Sequence, residues 1–134
     1  MNPLLNAQLP SFSSQINQFV SNIGAVDPNA LFAISVGAND YLTQPFALRA
    51  TNSQVVVNNI STAVNTLIDK GARNIIVSNL PPLGATPQEQ ALGTAATSNN
   101  LSQEHNQNLN IALGAIARNR KDVNIIALDV NAVF

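Results

Sequence analysis

The sequence predicts an α/β fold built on about three parallel strands. Three observations carry that expectation. A helical pattern followed by a strand pattern occurs three times in succession. Each strand segment is apolar almost throughout, as in parallel sheets covered on both faces, instead of alternating. The stretches between strand segments hold helix-length amphipathic patterns, which parallel crossovers require.

The first helical stripe is Phe12, Ile16, Phe19, Val20 and Ile23. Ser11 suits its N-cap, and Gly24 the residue just past its end. Asp27-Pro28-Asn29 reads as a turn. Leu31 to Val36 is the first strand segment, and it stops at Gly37. Thr51 and Gln54 are spaced as a capping box. Val56, Ile60, Val64, Leu67 and Ile68 then form the second stripe, closed by Gly71. Asn74 to Ser78 is the second strand, ended by Pro81-Pro82. A polar loop through Gly84, Pro87 and Gly93 leads to the third stripe, Leu101, Leu109, Leu113 and Ile116. Arg118, Arg120 and Lys121 lie near its end, where cations suit the helix dipole. Val123 to Leu128 is the third strand.

With 134 residues, 46% of them hydrophobic and 10% charged, the chain has the composition of one globular domain. A parallel sheet of three strands is small and has two open edges, which invite pairing. Residues 1–134 are therefore expected to be a single, incomplete domain, prone to self-association through its sheet edges.

Composition also excludes function classes. A net charge of -1 with no basic cluster argues against nucleic acid as a partner. Cysteine is absent, which removes disulfides, thiolate metal sites and a cysteine nucleophile. One histidine and scattered carboxylates make no metal-ligand pattern. Neither G-x-G-x-x-G nor G-x-x-x-x-G-K-[ST] occurs, so no nucleotide cofactor is expected. No stretch approaches a membrane span. Met1 to Leu5 carries no basic region and no long apolar run, so no signal peptide is expected there, and localisation stays open.

Chemistry concentrates at Gly37-Ala38-Asn39-Asp40. In open α/β sheets, ligands bind beyond the carboxyl ends of the strands. By residue type alone, the segment reads first as a strand-ending turn. The alternative is an acyl-transfer site. Gly37 permits a sharp turn and close approach to a ligand, Asn39 offers an amide donor to a developing oxyanion, and Asp40 accepts backbone N–H groups and holds the loop.

The wider sequence around the loop resembles one family. Residues 31–42, LFAISVGANDYL, are similar to the third conserved block of the GDSL, or SGNH, hydrolases: a buried strand ending in Gly-x-Asn-Asp. Residues 72–87, ARNIIVSNLPPLGATP, look like the family's next strand and loop. His105-Asn106 and the strand reaching Asp129 follow in matching order. The bacterial lipase and esterase branch, with phospholipase-like members, is the most similar in pattern. The resemblance implies a flavodoxin-like three-layer α/β/α fold and hydrolysis of carboxylic esters by a serine. It implies that Asn39 completes an oxyanion hole, with Gly37 shaping the loop. Relatives in this branch are often secreted.

Two parts of the family pattern are not found. The chain contains no Gly-Asp-Ser, which carries the family's nucleophile, and no Asp-x-x-His, which supplies its acid and base. His105 reads as a packed or capped helix residue and Asp129 as a loop or cap carboxylate. Ser35 and Ser78 read as buried strand residues outside any nucleophile turn. No nucleophile, acid-base pair or metal site is assigned. The expected function is the central part of a serine esterase or lipase, inactive by itself and acting on an ester only with the flanking blocks. The alternative is a non-catalytic α/β interaction module or the remnant of a split gene.

Overall fold

The computed structural model describes residues 11–43 and 46–134, so the reading of Met1 to Leu5 lies outside the described residues. Three parallel strands form one sheet: β1 (Leu31–Ile34), β2 (Asn74–Ser78) and β3 (Asn124–Leu128), in the order β1-β2-β3. Five α-helices accompany them: α1 (Phe12–Ile23), α2 (Ala38–Leu42), α3 (Ser53–Asp69), α4 (Pro87–Leu92) and α5 (Ala95–Asn119). Short 3-10 turns at Phe46–Leu48, Leu83–Ala85 and Asn131–Val133 complete the described elements.

The helices begin and end for local reasons. Ser11 caps α1 by accepting the Ser14 amide at 3.1 Å. Asp27 accepts the Asn29 amide at 2.9 Å and closes the turn before β1. The cap of α3 is Asn52, whose Oδ1 accepts the Gln54 amide at 2.9 Å, and not the expected Thr51. Asparagine one residue later satisfies the same orphan donors, so the box pattern was displaced by a better cap. The expected loop through Gly84 and Gly93 also holds structure. Thr86 caps α4 with Pro87 at the first helical position, a pairing that starts a helix even in a polar stretch.

Register explains the core. Phe32, Ile75 and Ile125 align across the sheet, as do Ile34, Val77 and Ala127. This face is buried at Ile34, Ile75 and Val77, partly buried at Phe32 and Ile125, and open at Ala127. Phe19 of α1 meets Phe32 edge to face at 5.8 Å, and Leu67 of α3 and Leu109 of α5 join Ile34 and Val77 in one buried cluster. Val57, Val64, Ile75 and Val77 are all at most 1% exposed. Burying each such side chain contributes roughly 1.5–3 kcal/mol, so the α3–β2–α5 contact is the main source of stability.

The opposite face is more open. Leu31 is 61% exposed, Ile126 43% and Leu128 50%. These strand residues are less deeply covered than those of the first face. β1 also ends at Ile34, and Ser35, expected to be buried, is exposed. Ser78 is buried as expected, against the Ile34 carbonyl.

Candidate functional site

The loops that leave the three strands meet at one end of the sheet. After β1, Gly37 takes φ 114, a left-handed conformation that glycine alone adopts freely. That turn starts α2 and aims the next residues outward. Asn39 and Asp40 are exposed on it. Backbone bonds hold its shape: the Asp40 amide donates to Gly37 O at 3.1 Å, Thr43 to Asn39 O at 3.0 Å, and Ala50 to Asp40 O at 2.7 Å. The Asn39 side-chain amide has no partner among the described residues, which leaves both its N–H donors open to a ligand. Partial burial raises the Asp40 carboxyl above its ordinary range, opposed by its own backbone amide.

Beneath this turn lies a pair that sequence reading did not join. Tyr41 is 1% exposed and His105 0%. Tyr41 Oη is 2.8 Å from His105 Nδ1, and the rings meet edge to face at 5.6 Å. Burial lowers the His105 pKa to about 4 and raises that of Tyr41, with the charges of Asp40 and Glu104 adding to the latter. Both groups are therefore neutral at pH 7. Counting donors favours one direction for the bond. If Nδ1–H donated, the tyrosine proton and the Nε2 lone pair would both lack partners. If Tyr41 O–H donates to Nδ1, only the Nε2–H is left over, and Nε2 is indeed buried without a partner. The ring also presses on Gly37: a Cβ there would lie 3.0 Å from His105 Cε1.

A buried ion pair fixes the far end of the same segment. Arg49 binds Glu89 at 2.9 and 3.1 Å through two nitrogens, while its Nε donates to Thr43 O at 3.0 Å. Its guanidinium also stands over the Phe46 ring at 4.1 Å. Glu89 is fully buried and additionally accepts from Ser98 Oγ and from Thr94 Oγ1 at 2.7 Å. The Arg49 hydrogen bonds chiefly, then those from Ser98 and Thr94, outweigh burial and hold the Glu89 pKa at about 2. A carboxylate so fully satisfied is a structural anchor, not an acid-base group.

The second loop is held from α5. Asn106 accepts the Leu80 amide through Oδ1 and donates to the Leu80 carbonyl through Nδ2, both at 2.8 Å. Asn99 accepts the Gly84 amide at 2.8 Å. At the third loop, Asp129 Oδ1 accepts from Asn79 Nδ2 at 2.7 Å and from the Ala132 amide at 3.2 Å, the loop carboxylate the sequence suggested. His105 likewise is the packed helix residue expected, and Tyr41 is its one hydrogen-bond partner among the described residues. Among the described residues no serine pairs with it, and no cluster of His, Asp or Glu could hold a metal ion. No helix among them is long and apolar enough to cross a membrane.

The arrangement is thus an exposed amide donor on a rigid turn, at the ligand end of a parallel sheet. Comparison with known proteins gives it a context. The family model described as GDSL-like Lipase/Acylhydrolase matches residues 5–134. A GDSL esterase/lipase of Arabidopsis thaliana is 29% identical over 120 residues, covering 78% of this chain and 32% of that protein. A second from the same plant is 26% identical over 145 residues, covering 94% of this chain and 38% of the relative. The phosphatidylcholine-sterol acyltransferase of Aeromonas hydrophila is 32% identical over 93 residues, 69% of this chain and 27% of the enzyme. The chain spans about a third of the length of these relatives. Its three parallel strands with their helices are a partial α/β domain of the SGNH type, and the chain belongs to the GDSL-like lipase/acylhydrolase family.

Proposed function

We propose that this chain supplies the oxyanion-stabilising part of a carboxylic-ester hydrolase, with Asn39 as donor and Gly37 as the residue that shapes its turn. The observation that carries the reading is the free amide of Asn39, presented on a backbone-locked turn beyond the carboxyl end of β1. A preorganised donor aimed at developing charge is worth far more than a mobile one, since it needs no reorganisation during reaction. The relatives' names include an acyltransferase as well as esterases. Both activities share acyl transfer through a tetrahedral oxyanion, so Asn39 serves either acceptor. Alone, the chain does not turn over esters. Its single histidine is sealed under Gly37 and bound to Tyr41, where it activates no serine.

The test compares the 134-residue chain with a polypeptide joining it to segments that carry Gly-Asp-Ser and Asp-x-x-His. The chain alone leaves a nitrophenyl ester at background hydrolysis, whereas the joined protein is active. Asn39→Ala in the joined protein lowers kcat by about 10²–10³-fold. Full kcat in that variant refutes the role of Asn39, and turnover by the stringently purified chain refutes its inactivity. A second reading, a non-catalytic interaction module, draws on the exposed apolar face of Leu31, Ile126 and Leu128. It is the one left standing if the joined protein folds and stays inert.

A further inference from the structure

The buried stripe of α5 changes character along its length. Ser98, Ser102 and His105 continue directly into Leu109, Leu113 and Ile116 at helical spacing, all buried. The apolar half faces the sheet core. The polar half faces the loops at its ligand end: Ser98 reaches Glu89, His105 reaches Tyr41 and Gly37, and the next residue, Asn106, clamps Leu80. Buried polar groups cost stability unless satisfied, yet His105 Nε2 has no partner. A leucine there would remove the orphan Nε2–H but leave the buried Tyr41 hydroxyl without its acceptor.

We propose that His105 is a positioning residue for the Gly37–Asn39 turn, the Tyr41–His105 bond holding the imidazole as the floor on which Gly37 closes, while the adjacent Asn106 holds the loop after β2. The two loops at the ligand end are thereby set by neighbouring residues of one rigid helix. The inference rests on the oxyanion reading for its functional meaning, but the geometry stands on three contacts. Tyr41 belongs to α2, so its hydroxyl ties the helix that bears Asn39 to α5. The Gly37 Cα approaches the ring so closely that a Cβ would touch Cε1 at 3.0 Å. The third is the bidentate grip of Asn106 on the Leu80 backbone.

Hydrogen exchange on the whole chain tests this with segment resolution. The amides of Asp40, Thr43 and Ala50 are bonded within the first loop region, and that of Leu80 is bonded to Asn106. Tyr41→Phe keeps the ring and removes the hydroxyl. It is expected to speed exchange at Asp40, Thr43 and Ala50 by about tenfold and to leave Leu80 unchanged. Asn106→Ala is expected to give the reverse pattern. Imidazole 15N shifts add a readout that simple packing would not move: the Nε2–H tautomer of His105 in the parent chain, and a tautomer mixture in Tyr41→Phe. Unchanged exchange in the first loop, equal acceleration in both loops, or an unchanged tautomer overturns the proposal. Should Tyr41→Phe fold poorly, His105→Gln, with an amide in reach of the same hydroxyl, is expected to restore part of the protection that His105→Ala loses; no difference between those two variants also overturns it. None of these outcomes depends on ester turnover, so failure of the Asn39 reading shows separately, in the kcat of Asn39→Ala.

Discussion

Tyr41 Oη and His105 Nδ1 stand 2.8 Å apart across 64 residues of chain, with both side chains buried. This bond joins the helix bearing Asn39 to the longest helix of the fold.

Stability should fall on acidification in two overlapping steps. His105 has a folded pKa of about 4 against an ordinary 6.5, so the unfolded chain binds the extra proton first. Its contribution is complete above pH 6.5 and is lost as pH falls from there toward 4, by about 3 kcal/mol at most. Glu89, at about 2 against 4.5, loses its contribution as pH falls from 4.5 toward 2. Denaturant midpoints between pH 7 and 4 check the first step. In His105→Gln the loss between pH 6.5 and 4.5 should largely vanish.

Breaking the Arg49–Glu89 pair should be costly. Glu89 is wholly buried, and Arg49 has only 9% of its side chain exposed. Arg49→Ala leaves a buried carboxylate without its main partner and is expected to cost about 3–5 kcal/mol. Urea unfolding measures it. A loss below about 1 kcal/mol would mean that the pair behaves like a surface ion pair.

Gly37→Ala should destabilise for two separable reasons. The φ of 114 strains any side chain, and the new methyl meets the imidazole at 3.0 Å. About 1–3 kcal/mol is expected from the backbone alone. Adding His105→Ala removes the steric part and leaves the conformational part, so the double variant should recover only a fraction on a two-variant cycle. Asn39→Ala, exposed on the same turn, should change stability by less than about 0.5 kcal/mol.

The exposed sheet face should promote self-association of the chain with a second copy. Ala33, Ile76 and Ile126 align in register on it, and Ser78 aligns with Leu128. Sedimentation should show concentration-dependent growth in mass, reduced in Ile126→Lys with Leu128→Lys. A monodisperse monomer that melts cooperatively would contradict this.

The fold was legible in the sequence wherever apolar period and turn chemistry agreed. The stripe from Val56 to Ile68, the strand from Asn74 to Ser78 and the turn at Gly37 all lie where those patterns placed them. What escaped was polar and long-range. The stripe of α5 was read through Leu101, but its buried line runs through Ser98, Ser102 and His105, residues that a hydrophobic pattern skips. Arg49 and Glu89 lie 40 residues apart in polar contexts, and no local signal links them.

Strand order in this sheet equals chain order, β1 to β2 to β3. Within the described sheet, β2 therefore pairs with the strand just before it in the chain, and β3 then adds to β2. Loop closure stays short, and α3 can dock on β1 and β2 before α5 exists. On a ribosome, the turn bearing Asn39 is made before α5 and stays loose. It would tighten only when His105 emerges, so the ligand end of the sheet matures last although its sequence is made early.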